Sequence, residues 1–130
     1  SENGYADSAY KIASQEDFPS WGYWIKNGAT TLFENWPLNV EKNDASMNHI
    51  MFGEIGAWMY KGLGGIFPDE NLPGFKHIIL KPNFVKDLTY FESEHTSPYG
   101  KIVSNWKREN KKVLYEVVVP PNATASFYLE

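Results

Sequence analysis

Cysteine is absent from the 130 residues, so neither a disulfide nor a thiolate metal site can contribute to this fold. No apolar run approaches the roughly 20 residues that a membrane-spanning helix needs. The opening Ser1-Glu2-Asn3-Gly4 lacks the basic-then-apolar pattern of a secretion signal, and reads as a cut inside a longer protein. Basic residues are outnumbered: 12 Lys and Arg stand against 16 Asp and Glu, a net charge of -4. Their clusters, Lys107-Arg108 and Lys111-Lys112, flank a predicted hairpin turn, which argues against a nucleic-acid partner. Neither His77 nor His95 has neighbours at metal-ligand spacing. The glycines at 62–65 follow no predicted strand and lack a nearby Lys-Ser/Thr. Neither a zinc site nor a phosphate loop is predicted, and no cofactor is implied.

Aromatic residues, by contrast, are plentiful: 16% of the chain, with 5 Trp, 8 Tyr and 8 Phe. Flat rings suit the faces of sugars, and they equally suit a core. All but one of the Trp lie between Phe18 and Gly65, in the stretch around which the chain is organised. Before it, Tyr5, Ala9 and Ile12 recur at helical spacing, predicting a short helix within residues 4–14 that closes before Pro19. Trp21 to Ile25 is an apolar segment ended by the turn signal Asn27-Gly28. Ala29 to Trp36 reads as a helix closed by Pro37, with a strand over Thr30 to Phe33 as the rival. A polar loop is predicted over 38–45. Ser46 is then a credible N-cap for a long helix in which Met47, Ile50, Met51, Ile55, Trp58 and Met59 form one apolar stripe. Gly53 and Gly56 imply tight packing along that helix, and Gly62, Gly64 and Gly65 end it.

Beyond Pro68-Asp69-Glu70-Asn71 the period changes from 3.6 to 2. Strand-length runs fall at 76–81, 88–95, 101–108, 113–119 and 124–129, with Pro, Gly and Asn separators. Ile102, Ser104 and Trp106 share one face of the third run, and Asn110-Lys111 makes the turn to the fourth, where Val113, Tyr115, Val117 and Val119 share a face. Five strands without intervening helices predict an antiparallel sandwich, or part of one. The expected division is residues 1–67, helical, and 68–130, a β-sandwich.

Glu34, in GATTLFENW, is a carboxylate between small residues that can admit a ligand and the rings of Phe33 and Trp36. Partial desolvation would make it a better proton acceptor. The structural alternative is a glutamate that complements a helix N-terminus. His49 is either a hydrogen-bonded cap or core residue, or a neutral imidazole that donates to a ligand hydroxyl. Trp21 and Trp36 flank turns and suit a pocket lining, whereas Trp58 belongs to the helix stripe. Glu54 is a possible buried partner for a His or Tyr.

Taken in order, PSWGYWI, GATTLFENW, SMNH, FGEIGAWMYKGLGGI, PGFKHIILKP and YGKIVSNW resemble the bacterial α-L-rhamnosidases of glycoside hydrolase family 78, over nearly the whole chain. The resemblance is to the C-terminal portion of such enzymes. It implies an α+β organisation, the terminal helices of a six-hairpin (α/α) toroid followed by an antiparallel β-sandwich domain. It also implies hydrolysis of terminal α-L-rhamnose with inversion, which needs two carboxyl groups roughly 6.5–9.5 Å apart. By that resemblance Glu34 is the general base and His49 a substrate-binding residue, while the general acid belongs to an earlier part of the toroid. The chain departs from the family pattern at Phe33, Asn35 and the shorter Trp36–Ser46 spacing. The implied partners are a rhamnose-containing glycoside or polysaccharide and the remaining N-terminal part of the parent chain. The chain alone is then expected to be inactive and, with helix faces left without partners, to self-associate. An alternative of another class is a non-catalytic carbohydrate-binding or interaction module, with the sandwich as its functional part.

Overall fold

The computed structural model describes residues 3–38 and 45–129. Most of the polar loop expected over 38–45, namely residues 39–44, lies outside the described residues. The chain divides into two compact units, one of residues 7–57 and one of residues 58–130 together with the chain up to Ala6.

The first unit begins in α1 (Ala6–Ser14), which realises the predicted N-terminal helix. It continues through α2 (Trp21–Lys26). Ser20 caps α2: its hydroxyl accepts the Tyr23 N–H at 2.9 Å and itself donates to Gln15 O at 2.7 Å, and the residue is buried. The close packing that glycine permits occurs here at Gly22, where an added Cβ would lie 2.2 Å from Gln15 O. Asn27 and Gly28, the latter at φ 84°, turn the chain as expected.

From Ala29 onward the structure corrects the sequence reading. No helix forms over residues 29–36. The segment is irregular, with bends at 31 and 34–36, and bonds to residues 46–49 instead, Glu34 N–H donating to Ser46 O at 2.9 Å and His49 N–H to Leu32 O at 2.8 Å. That pairing also consumes the start of the long helix. Ser46 caps no helix; its hydroxyl accepts the Asn48 N–H at 3.1 Å in a local turn. Turn-type bonds, Gly53 N–H to Ile50 O and Gly56 N–H to Gly53 O, carry the chain onward. Helix α3 is short, Glu54–Trp58, and the π-helical turn Met59–Leu63 follows directly. The anticipated stripe is broken as a result, since Met47, Ile50 and Met51 are exposed. Nothing lies within 4 Å of a Cβ built at Gly56, so the tight approach expected there is absent.

The second unit is the sandwich. β1 (Ile66–Pro68), β2 (His77–Leu80) and β7 (Thr124–Phe127) form one sheet. β3 (Tyr90–Phe91), β4 (Glu94–Ser97), β5 (Gly100–Glu109) and β6 (Lys112–Val118) form the other. Pairing is antiparallel throughout except between β2 and β7, which run parallel. β5 is the spine of its sheet, with β6 along one side and β3 and β4 in succession along the other. The β5–β6 hairpin turns at Asn110, φ 55°, where expected. Inward positions of β5, namely Ile102, Ser104 and Trp106, are all buried, as the period of 2 requires. Ile102 joins Ile66, Ile78 and Leu80 of the other sheet in a shared core, each contributing about 1.5–3 kcal/mol by burial.

The last carbonyls of the π-helical turn have no helical partner of their own. Side chains of the sandwich supply them. Asn83 Nδ2 donates to Gly62 O at 2.7 Å, Trp106 Nε1 to Leu63 O at 3.1 Å, and Ser104 Oγ to Gly64 O at 2.5 Å. Ser104 has one proton and gives it to Gly64, so the Tyr115 hydroxyl at 2.8 Å is the donor in their contact. Gly65 then reverses the chain at φ 67°, in a space where a Cβ would meet Pro82 N at 2.1 Å.

Candidate functional site

Glu34 is half-buried and doubly tied to Ser46. Its backbone N–H donates to Ser46 O at 2.9 Å, and its carboxylate Oε2 accepts the Ser46 N–H at 2.8 Å. One residue thus engages both main-chain groups of its neighbour, which fixes the carboxylate while occupying one of its several lone-pair positions. Thr31 extends the pairing through its hydroxyl, which donates to Met47 O.

The same pairing carries His49, held at its N–H by Leu32 O. The ring is oriented from within its own turn, since Met51 N–H donates to His49 Nδ1 at 3.0 Å. An acceptor at Nδ1 puts the proton of the neutral ring on Nε2, leaving an N–H donor on that side. Two of the four residues singled out from sequence therefore lie on two segments of irregular backbone that are hydrogen-bonded to each other, Glu34 through Ser46 and His49 through Leu32.

Trp21 and Trp36 sit in an aromatic cluster with Trp24, Phe33 and Phe52. Trp36 lies 4.2 Å from Phe52 and 4.5 Å from Trp24 between ring centroids, and Trp21 meets Trp36 edge-on at 5.3 Å. The indole N–H groups find main-chain acceptors, Trp24 on Trp36 O at 2.8 Å and Trp21 on Phe52 O at 3.2 Å. Trp24 is 2% exposed and forms the centre, whereas Trp21 and Trp36 are half-buried. The cluster pins both flanks of the Glu34 loop, so a carboxylate on irregular backbone is nonetheless held by rigid neighbours. Trp24, as the centre, was not distinguished from its neighbours by sequence.

Glu54 is exposed, which removes the buried partnership considered for it. His77 is more engaged than a surface strand residue. Its Nδ1 lies 2.6 Å from Thr124 Oγ1 and its Nε2 3.0 Å from Ser126 Oγ, so it latches β2 to β7. The signal was a Thr-x-Ser pair on a strand face, readable only once the strand neighbours are known. His95 packs on Phe75 with centroids 4.6 Å apart. Among the described residues no group of three or more His, Asp or Glu is arranged to hold a metal ion, and no helix is long and apolar enough to cross a membrane.

Residues 1–63 match the family model for the bacterial alpha-L-rhamnosidase 6 hairpin glycosidase domain, and residues 65–130 match that for the bacterial alpha-L-rhamnosidase C-terminal domain. An alpha-L-rhamnosidase of Formosa agariphila is 40% identical over 131 residues, spanning 95% of this chain and 14% of that protein. The structure of alpha-L-rhamnosidase from Dictyoglumus thermophilum is similar with a TM-score of 0.88 and 36% identity, covering 97% of this chain and 14% of that one. The Streptomyces avermitilis alpha-L-rhamnosidase, solved in complex with L-rhamnose, gives a TM-score of 0.85 at 30% identity, over 97% of this chain and 13% of that one. The 130 residues therefore span about a seventh of the length of the relatives they match. Mixed helices and a largely antiparallel sandwich, two adjoining family matches in the same order and these relatives agree: the chain belongs to the bacterial α-L-rhamnosidase family.

Proposed function

We propose that these residues supply the base-bearing part of an inverting glycoside hydrolase that releases terminal α-L-rhamnose from glycosides or polysaccharides. Glu34 takes a proton from water as the water oxygen attacks the anomeric carbon. The bond from that carbon to the leaving oxygen breaks, and a general acid outside these 130 residues protonates the departing group. The Nε2 N–H of His49 donates to a rhamnose hydroxyl, and the half-buried Trp21 and Trp36 face the apolar side of the sugar. The organisation we assign is residues 1–67 to the catalytic toroid and 68–130 to the accompanying sandwich.

The observation that carries this reading is the reciprocal Glu34–Ser46 pair, which holds a carboxylate in a fixed position beside an oriented imidazole and an aromatic cluster. The test is Glu34→Gln in the full-length enzyme that contains these residues. Turnover of an aryl α-L-rhamnoside is expected to fall by about 10²–10⁴-fold, the usual contribution of a positioned acid or base, with the circular dichroism spectrum unchanged. Activity within a few-fold of the parent would reject Glu34 as the base. The 130 residues alone are expected to show no turnover, because the second carboxyl group is missing. Their exposed Ile12, Ile25, Ile50 and Met51 supply apolar surface through which the isolated chain self-associates.

A further inference from the structure

The outer face of the β6–β5–β3 sheet carries a groove of about 560 Å³ that the proposed catalysis does not use. Its side chains form two rows across three strands. Tyr90, Lys107 and Leu114 are direct cross-strand neighbours in one row, and Asn105 pairs with Glu116 in the next, where Glu92 follows Tyr90 at strand spacing. A solvent-facing sheet surface is ordinarily polar, yet Tyr90 is 58% and Leu114 53% exposed here. The polar row is partly preset: Asn105 Oδ1 accepts the Ser93 N–H at 3.0 Å, so its Nδ2 is the group left to donate. Lys107 is ion-paired with Glu109 at 3.0 Å, and with Glu92 and Glu116 also on its lining the groove carries more negative than positive charge.

We propose that this groove is a second glycan-binding site, for a neutral, hydroxyl-rich sugar chain, separate from the Glu34 site. The volume falls in the range of small-ligand sites. The Tyr90 ring and Leu114 offer apolar surface to the C–H faces and methyl groups of a deoxysugar, Glu92 and Glu116 accept from its hydroxyls, and Asn105 donates to its oxygens. The two carboxylates repel uronic acids, sulfated sugars and nucleic acids, which excludes the polyanionic alternatives. This rests on the reading of the chain as part of a glycan-cleaving enzyme, and its function would be to retain a polymeric substrate on the enzyme that cleaves it.

The test is amide-shift mapping on the isotope-labelled 130-residue chain titrated with a neutral rhamnan oligosaccharide and, separately, with oligogalacturonate. Shifts are expected at residues 90–92, 105–107 and 114–116 with the neutral sugar and none there with the anionic one. Tyr90→Ala, at an exposed position, is expected to weaken that binding by about tenfold or more. In the full-length enzyme the same substitution raises KM on the polymer and leaves kcat on an aryl rhamnoside unchanged, whereas Glu34→Gln leaves groove binding intact. Shifts confined to residues 21–52, equal response to the uronide, or unaltered affinity in Tyr90→Ala would each overturn the proposal. An active Glu34→Gln enzyme with groove binding retained would sink the catalytic assignment alone.

Discussion

The two units of this chain are stabilised in different ways. In the sandwich, main-chain ladders satisfy one another and side chains need only alternate. In residues 7–57 regular structure is scarce around Glu34, and side chains do the work of a ladder: two indoles, a threonine and the Glu34 carboxylate are bonded to main-chain groups. The contrast shows what it takes to hold a carboxylate in place on irregular backbone. Each such loop needs specific partners at specific positions, so it is less tolerant of substitution than a strand of equal length.

Beyond the loss of turnover in Glu34→Gln, the substitution that presses hardest on this contrast is Trp24→Ala. It deletes the centre of the cluster, with neighbours Phe33, Trp36 and Phe52 at 4.5 to 5.5 Å, and strands the Trp36 carbonyl. The expected cost is about 3–5 kcal/mol. Hydrogen exchange should show protection lost within residues 20–52 and retained in β5 and β6. Equal loss in both regions would show that the units share one stabilising core, and the contrast would fall.

How far each region could be read from sequence follows the same line. The alternation of Ile102, Ser104 and Trp106 with Val103, Asn105 and Lys107 is local, and burial follows it along β5. The helices expected over 29–36 and from Ser46 are not local matters. Apolar residues at helical spacing were present, but the Leu32–His49 and Glu34–Ser46 bonds outcompete the helix, and no periodicity within either segment announces a partner more than ten residues away. Propensity lost to long-range pairing. The short α2 has a local signal, its N-cap Ser20, but at six residues it is too short for a helical period to show. Glu34 and His49 stand out in the sequence by their motifs, and nothing local there carries the bonds to Ser46 and Leu32 that hold them. The parallel β2–β7 pair and its His77 latch required a register that composition does not carry.

Ser104→Ala sharpens the comparison from the other side, since at the end of the π-helical turn the sandwich too has side chains in place of a ladder. Removing the hydroxyl leaves the buried Gly64 carbonyl without its donor and Tyr115 without its acceptor. Stability measured by urea unfolding should fall by about 1–3 kcal/mol. A change near zero would mean that Asn83 and Trp106 alone suffice to satisfy the end of the π-helical turn.

The smallest effect expected is that of Tyr115→Phe, about 1 kcal/mol at neutral pH, but its pH dependence separates the two regions cleanly. Burial pushes the Tyr115 hydroxyl above its ordinary value. The folded chain therefore keeps that proton to higher pH than the unfolded chain does. The stabilisation is complete below the ordinary tyrosine value of about 10 and is lost as pH rises through the folded value. Lys26, in the other unit, is raised too, by its hydrogen bond and charge contact with Glu16 at 2.9 Å, and it is lost in the same direction. That pair is fully exposed, so added salt screens it. Alkaline unfolding at high salt should accordingly retain the Tyr115 contribution and lose that of Lys26. A Tyr115→Phe chain that follows the parent curve above pH 10 at every salt concentration would show that the buried hydroxyl exerts no such control.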